Sequence, residues 1–521
     1  MTAVTQLIPS YLGGVSKQID DKKKPGQVND IVNGMPDITY GLLKRSGFNW
    51  IRNVVDSDGA SLDYAKWFFV TRGGLDAYVG CITNDTGENG NISVWNAITG
   101  VQSIVEYPDG TDYLDVSYNA DTRLGPEQLY SVTTIQDVTV ITNTDKVVEE
   151  MAAPGEQKLQ NGTVKILIVE YGSDYTVEIN NKEITYKTRN YDDAADESAV
   201  FLDADEILSN LKSGIESAGL PLTVTQFSDC LEIVMTGDNE ITFLEATGGN
   251  GNSALDAYAT DVTDVSKLSV QALDGRKIQI INGAGEEDDY WLQFESEFTE
   301  GGVGSWIECR DPAASAGFEN NTAPHELEFA SETDGVATFK FKQIVWVDRI
   351  AGDETTNPMP SFVGKKISFA FFYSNRFGLL AEDYVCLSMA NDIFNFFKRS
   401  AQILVDSDPI DSNVSSIAPV RLISARPEPQ GLVLFGNSEQ FRMYSVDSIL
   451  TPSTAQIRTL STYEIANFIP PESLGTSSAF ISKVPSYTRC FLYETRGLEE
   501  APGVIDIGKT VAQWIPENIT S

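Results

Sequence analysis

The stretch "FFYSNRFGLLAED", Phe371 to Asp383, sets one arginine inside an apolar run. Phe371, Phe372 and Tyr373 lead through Ser374-Asn375 to Arg376, and then back to Phe377-Gly378-Leu379-Leu380. A buried guanidinium is costly unless its donors are paired, and arginine presents five of them in a rigid fork. Whatever fold buries these residues must therefore also supply acceptors for Arg376.

Outward from this stretch, most of the chain reads as short strands punctuated by Gly, Asn, Asp and Pro. Examples are "KWFFV" at Lys66, "DAYVGCI" at Asp76, "NISVWNA" at Asn91, "TIQDVTVIT" at Thr134, "KILIVEY" at Lys165, "TFKFKQIVWV" at Thr338 and "GLVLFG" at Gly431. They are rich in β-branched and aromatic residues and bounded by turn pairs such as Asn89-Gly90, Asp109-Gly110 and Asn282-Gly283. Spacing of this kind predicts an all-β architecture, whether sandwich, barrel or propeller.

One region departs from the pattern. From Val164 to about Ser266 the expected order is strands at Val164–Tyr171, Tyr175–Asn180 and Glu183–Lys187, a helix at Asp203–Ala218, then strands at Leu222–Gln226 and Cys230–Met235. Ile207, Leu208, Leu211 and Ile215 fall at helical spacing, and Gly219 is a C-terminal stop. The region reads as an α+β module inserted into the β framework. A shorter helix is expected around Asp392–Ala401, in "DIFNFFKRSA".

Length and charge limit the function. A chain of 521 residues has room for about three to four domains. Its 75 Asp and Glu against 37 Lys and Arg give a net charge of −38, which argues against a protein that grips phosphate backbones over a wide basic face. Cys81, Cys230, Cys309, Cys386 and Cys490 show no metal or redox spacing and read as thiols made in a reducing compartment. The N-terminus lacks a basic region leading into an apolar core, and no run approaches membrane-spanning length, so neither a signal peptide nor a membrane span is expected.

Several motifs invite a chemical reading and are outweighed. "GVIDIGKT", Gly503 to Thr510, satisfies the phosphate-loop pattern, but Val504-Ile505-Asp506-Ile507 is strand-like and Pro516 cuts short any following helix. "GGNGNSA" from Gly248 fits a dinucleotide fingerprint without the parallel β-α-β unit that this needs. His325 is the one histidine, so any triad or multi-histidine metal site would have to converge on it. Carboxylate neighbours such as Asp192-Asp193 and Glu286-Glu287-Asp288-Asp289 suit a two-carboxylate glycan hydrolase, but 75 acidic residues generate such pairs by chance. The basic groups Lys22-Lys23-Lys24 and Lys44-Arg45 read as a solvated turn or as a docking contact for an acidic partner.

Two longer segments carry more weight. "LGGVSKQIDDKKKPGQVNDIVNGMPDITYGLLKR" and "TNPMPSFVGKKISFAFFYSNRFGLLAED" resemble tail tubular protein B, the nozzle protein family of short-tailed podophages. The first matches in Gly13, Gly14, Ser16, Gln18, Pro25, Gln27, Asn33, Gly41, Leu42, Lys44 and Arg45, with Ser46 where the family has proline. The second matches in Asn357, Pro358, Pro360, Ser361, Phe362, Val363, Gly364, Asn375, Arg376 and Gly378. Weaker echoes, among them Asp408-Pro409-Ile410-Asp411 and Glu439-Gln440-Phe441, extend the match in the family's order.

The resemblance implies a mainly β fold, a β-propeller-like core with an inserted α+β module. It implies a structural virion protein of the phage tail, assembled in the host cytoplasm as a hexameric ring. That ring would meet the phage adaptor protein and the tail fibres, and double-stranded DNA would pass along its axis during ejection. No catalytic residue, cofactor or metal is called for. The expected division is 1–60 as a docking segment, 61–163 as the first propeller strands, 164–266 as the inserted module, 267–348 as a β-rich return to the core and 349–521 as further blades. Family members continue past the point where this chain stops. In a propeller the turn Ser374-Asn375 would bring Arg376 against carbonyls or a carboxylate at a blade end. The competing readings are a tail-associated glycan hydrolase and a cytoplasmic propeller scaffold.

Overall fold

The structure, a computed structural model, describes residues 11–54, 62, 65–72, 76–83, 91–116, 129–135, 137–155, 160–191, 202–283, 289–416, 418–447, 449–466, 469–484, 487–494 and 501–507. The chain opens with a hairpin, β1 (Gly34–Asp37) and β2 (Gly41–Lys44), turned by Gly41 at φ 78°. An antiparallel sheet follows from β3 (Lys66–Arg72), β4 (Asp76–Thr83) and β5 (Asn91–Asn96). After β6 (Ile104–Glu106) come β7 (Tyr130–Ile135) and β8 (Val138–Asn143), paired as a hairpin. The run expected as a single strand from Thr134 is thus two strands reversing around Asp137.

Between β8 and its next partner the chain builds the module. Its elements are β9 (Asn161–Ile166), β10 (Asp174–Ile179), β11 (Lys182–Lys187), α1 (Ala204–Ser217), β12 (Leu222–Gln226), β13 (Cys230–Met235), β14 (Leu244–Gly248) and β15 (Leu255–Tyr258). Two sheets, ordered β11-β10-β14 and β12-β13-β9-β15, share one core with Ile207, Leu208, Leu211 and Ile215 of α1. Asp203 caps the helix by accepting from the Glu206 amide at 2.9 Å, and Gly219 leaves it at φ 74°. The first strand stops at Ile166 because Leu167 and Ile168 both turn their amides to the Ala254 carbonyl. A further sheet, ordered β16-β18-β19-β20-β17, comes from β16 (Asp261–Val262), β17 (Gln271–Ala272), β18 (Lys277–Ile280), β19 (Tyr290–Ser296) and β20 (Gly302–Cys309). It is tied to the module by the buried pair Arg276–Glu232, 3.6 Å apart.

The chain then returns. β21 (His325–Thr333) and β22 (Val336–Gln343) complete a sheet ordered β6-β22-β21-β8-β7, so residues 161–309 lie between two adjacent strands of one sheet. Three antiparallel meanders of four strands follow in sequence order. They are β23 (Ile367–Tyr373), β24 (Arg376–Ala381), β25 (Tyr384–Leu387) and β26 (Ile410–Asn413); β27 (Leu422–Glu428), β28 (Gly431–Gly436), β29 (Gln440–Ser445) and β30 (Ala455–Ser461); and β31 (Glu472–Ser473), β32 (Ser478–Val484), β33 (Tyr487–Glu494) and β34 (Gly503–Asp506).

Successive sheets pack face to face, and side-chain alternation along a strand explains how. Ile141 faces Phe68 and Tyr78 of the sheet before it, whereas its neighbour Val140 faces Ile367 and Phe377 of the sheet after it. Leu379 and Leu380 divide in the same way, as do Val433 and Leu434. A strand buried on both faces favours apolar residues at successive positions, which is why β24 reads as continuous apolar sequence from Phe377 to Ala381. The fold is mainly β, and α1 with its two sheets lies in the chain between β8 and β21. The helix expected at Asp392–Ala401 is absent. Asn391 sits at φ 64°, Met389 bridges Asp392, and the Phe397 amide donates to the Asn395 side chain at 3.0 Å, so the backbone forms no helical ladder there.

Candidate functional site

The chemical decoys resolve into ordinary structure. Gly503–Asp506 is strand β34, laddered to β33, where a phosphate loop would have to open; residues 508–510 lie outside the described ones. "GGNGNSA" is the turn from β14 to β15, with Gly249, Gly251 and Asn252 at positive φ, and a strand follows it. His325 is buried against Tyr113, with ring centroids 4.1 Å apart, and Nδ1 lies 2.9 Å from the Ala323 carbonyl. Burial pulls its pKa down to about 4, so it is a neutral packing group at pH 7. Asp192-Asp193 and Glu286-Glu287-Asp288 lie outside the described residues, while Asp289 accepts from the Asn282 amide at 2.9 Å. Among the described residues no group of three or more His, Cys, Asp and Glu is placed to hold a metal. None of the five cysteines is in a disulfide.

The residues named from the sequence fall into two separate groups. In the first, the turn Ser374-Asn375, both at positive φ, delivers a buried Arg376 into the loop that precedes β26. Nη1 donates to the carbonyls of Ser388 (2.8 Å), Ser407 (3.1 Å) and Asp408 (2.6 Å), and Nη2 to that of Asp406 (2.8 Å). Asp408 is fully buried and its Oδ2 accepts from the Val405 amide, which fixes the same loop; Pro409 follows, half-buried. Burial lowers the Arg376 pKa and the Asp408 charge partly offsets this. Phe362 inserts its ring between Phe318 and Phe396, at 5.2 and 5.1 Å. Pro358 is exposed, Gly364 turns at φ 79°, and the Gly364 amide donates to Val148.

A second buried arginine, Arg349, does comparable work and carries no such mark in the sequence. It donates to the carbonyls of Ser315 and Asn357 and pairs with Glu354 at 2.6 Å. Asn357 in turn bridges Ala351 and Lys398. Two arginines and an asparagine therefore hold irregular backbone that no ladder supports.

The other group is N-terminal. Gly14 sits at φ 69° beside the Val15–Val28 bridge, and a Cβ on Gly13 would meet the Gly26 backbone at 2.9 Å. Lys44 ends β2, the Arg45 amide donates to Asn33, and the Arg45 guanidinium lies 4.9 Å over the Phe48 ring.

A third feature comes from the fold alone. Edge strands of five sheets, β3, β7, β23 and β27 with Pro470 and Glu472 at β31, line one cavity of about 510 Å³. Trp67, Phe69 and Phe372 meet Thr133, Thr134 and Arg426 there. Arg426 donates to the Pro471 carbonyl and pairs with Glu472 at 3.2 Å. Glu472 is the one carboxylate among the described lining residues, so the cavity lacks the pair that glycoside hydrolysis uses.

A family model described as bacteriophage nozzle protein matches residues 1–521. The tail tubular protein gp12 of Escherichia phage T7 is 25% identical over 528 residues, covering 100% of this chain and 63% of that protein. The chain thus spans less than two thirds of the length of that curated relative. Among solved structures, the NanB sialidase from Streptococcus pneumoniae, in complex with a taurine-type ligand and as a point mutant, aligns with a TM-score of 0.31 and 10% identity over 89% of this chain and 64% of that one. A likeness at that score carries no argument about fold or activity.

Proposed function

The chain belongs to the bacteriophage nozzle protein family, and from that premise we propose that it is a tail nozzle: a homo-oligomeric, hexameric ring whose axis carries double-stranded DNA into the host. The observation that carries the reading is the family match over the whole chain. The family is one of structural tail proteins and not of enzymes. Adaptor and tail-fibre docking belong to the same proposal, as does assembly in the host cytoplasm.

Five sheets with an edge strand each around one cavity support a β-propeller whose axis is that cavity. A volume of about 510 Å³ suits a few side chains, whereas the major groove of a duplex is already about 12 Å wide. The DNA path therefore lies between subunits and not through one. The proposed division follows: 1–60 docks, 61–163 and 349–521 supply blades, 164–266 is the inserted module, and 267–348 leads back to the core. Strands β16 to β20 stay beside the module on that route. Net charge supports a repelling inner wall, because each cation on the wall would add a salt-dependent grip on phosphate.

Imaging of intact virions with this chain labelled tests the reading. Six copies around the tail axis are expected; a chain missing from the particle would end it.

A further inference from the structure

The N-terminal arm, residues 11–54, is ordered without a core of its own. Within it Gly26 alone is buried. Ile38 is 88% exposed, Phe48 83%, Val32 80%, Trp50 76% and Tyr40 73%. The arm nevertheless holds a defined shape through the β1–β2 hairpin, the Val15–Val28 bridge and the Arg45–Phe48 stack. Its described hold on the body is where Arg52 donates to the Gly100 carbonyl at 2.8 Å. A two-stranded hairpin has little stability in water by itself, and single exposed apolar residues are ordinary, but a run of them on one ordered segment marks a contact surface.

Charge selects the occupant. Lys17, Lys22, Lys23, Lys24, Lys44, Arg45 and Arg52 face only four carboxylates within the arm, a net +3, while the chain as a whole carries −38 and the remainder −41. A basic, apolar arm on a strongly acidic body complements another copy of that body. The body offers a matching seat. A groove of about 420 Å³ is lined by Val147, Met359 and Val363, by the exposed carboxylates Glu149 and Glu150, and by Lys365, whose ammonium is already held by the Ser361 carbonyl and the Tyr384 ring. Its apolar residues and its two exposed carboxylates are the counterpart of the arm's aromatics and lysines.

We propose that the arm of one copy docks on a second copy of the chain, with Phe48 and Trp50 in the groove at Val147 and the lysines against Glu149 and Glu150. The inference rests on the nozzle reading only in expecting several copies to assemble. Because the arm buries almost nothing in its own body, removing it leaves the fold intact and isolates the contact.

The test has two parts. The mass of the purified chain in solution is compared with that of a version lacking residues 1–54, with circular dichroism confirming that both are folded. The parent is expected to be a multimer and the shortened chain a monomer, and F48S with W50S to weaken association at least tenfold. Separately, W50C and V147C are made on differently tagged copies and mixed under oxidising conditions, so that a disulfide between them joins two copies by construction. That mixed disulfide supports the proposal. An unchanged mass after deletion, a monomeric parent, or no mixed disulfide where a W50C, V147C double variant cross-links within one copy would overturn it. Any of these leaves the place of the chain in the virion untouched, whereas absence from the virion would leave arm exchange standing.

Discussion

At the scale of single residues, buried charge is spent on holding loops. Arg376 satisfies four carbonyls on strandless backbone, so Arg376→Ala strands those acceptors and is expected to destabilise by about 3 kcal/mol in denaturant unfolding. Arg376→Lys is expected to recover less than half of that, because one ammonium cannot take the place of two nitrogens aimed at different carbonyls. An Ala variant that unfolds with the parent would remove the clamp from the account. Arg376 was legible because apolar neighbours surround it; Arg349 was not, since "VDRIAGD" is mixed and the Ser315 carbonyl that takes two of its donors lies in a separate loop. His325 gives a pH test. Its folded pKa is about 4, below the ordinary value near 6.5, so the unfolded chain takes up the proton first as pH falls. The stability it contributes is complete above pH 6.5 and is lost progressively toward pH 4, by up to about 3 kcal/mol. Many carboxylates titrate nearby, so the measurement is the difference between parent and His325→Phe across pH 7 to 4.5. The stability of the parent relative to the variant should fall as pH falls; parallel curves would show that the ring is not held neutral.

At the scale of elements, legibility followed periodicity. The helix α1 and the strands β12 and β13 were readable from spacing because each has a single buried face or a clean turn at its ends. Asp203 should then matter as a cap. Asp203→Ala is expected to cost about 1 kcal/mol, seen as faster hydrogen exchange in α1 with the β-sheets unaffected, and equal protection would show that packing alone holds the helix. "DIFNFFKRSA" misled because its aromatics are drawn into the core from an irregular loop, an outcome set by Asn357 and the sheets around it and not by local spacing. The hairpin at Asp137 misled for a different reason: both its strands are built largely of Val, Ile and Thr, so a continuous run of strand formers hid a reversal. A two-faced strand also explains the glycines that sit under rings. Gly80 and Gly378 lie opposite Phe68 and Phe371, each too close to the ring for a Cβ, and the arrangement recurs in two sheets. Local composition could mark these as strands without showing which sheet each face would meet.

At the scale of the whole molecule, the order of sheets was invisible to pattern, because it depends on contacts between residues a hundred or more apart. β8 meets β21 only after the module has been completed between them. Family resemblance supplied what periodicity could not, and charge carried the remaining functional argument. With −38 on the chain and −41 on the part outside the arm, little basic surface is left for a duplex that presents about one charge per 1.7 Å. Non-specific binding by a basic face would have a Kd between about 10⁻⁴ and 10⁻⁶ M at physiological salt and tighter below it. The assembled chain is therefore expected to leave labelled duplex unbound in a mobility-shift titration at about 50 mM salt and protein concentrations up to about 10⁻⁵ M. Deleting residues 1–54 should make no difference to that result. Micromolar retention that fades steeply as salt rises would mean that the cations converge on the DNA path, and a wall that grips would replace one that repels.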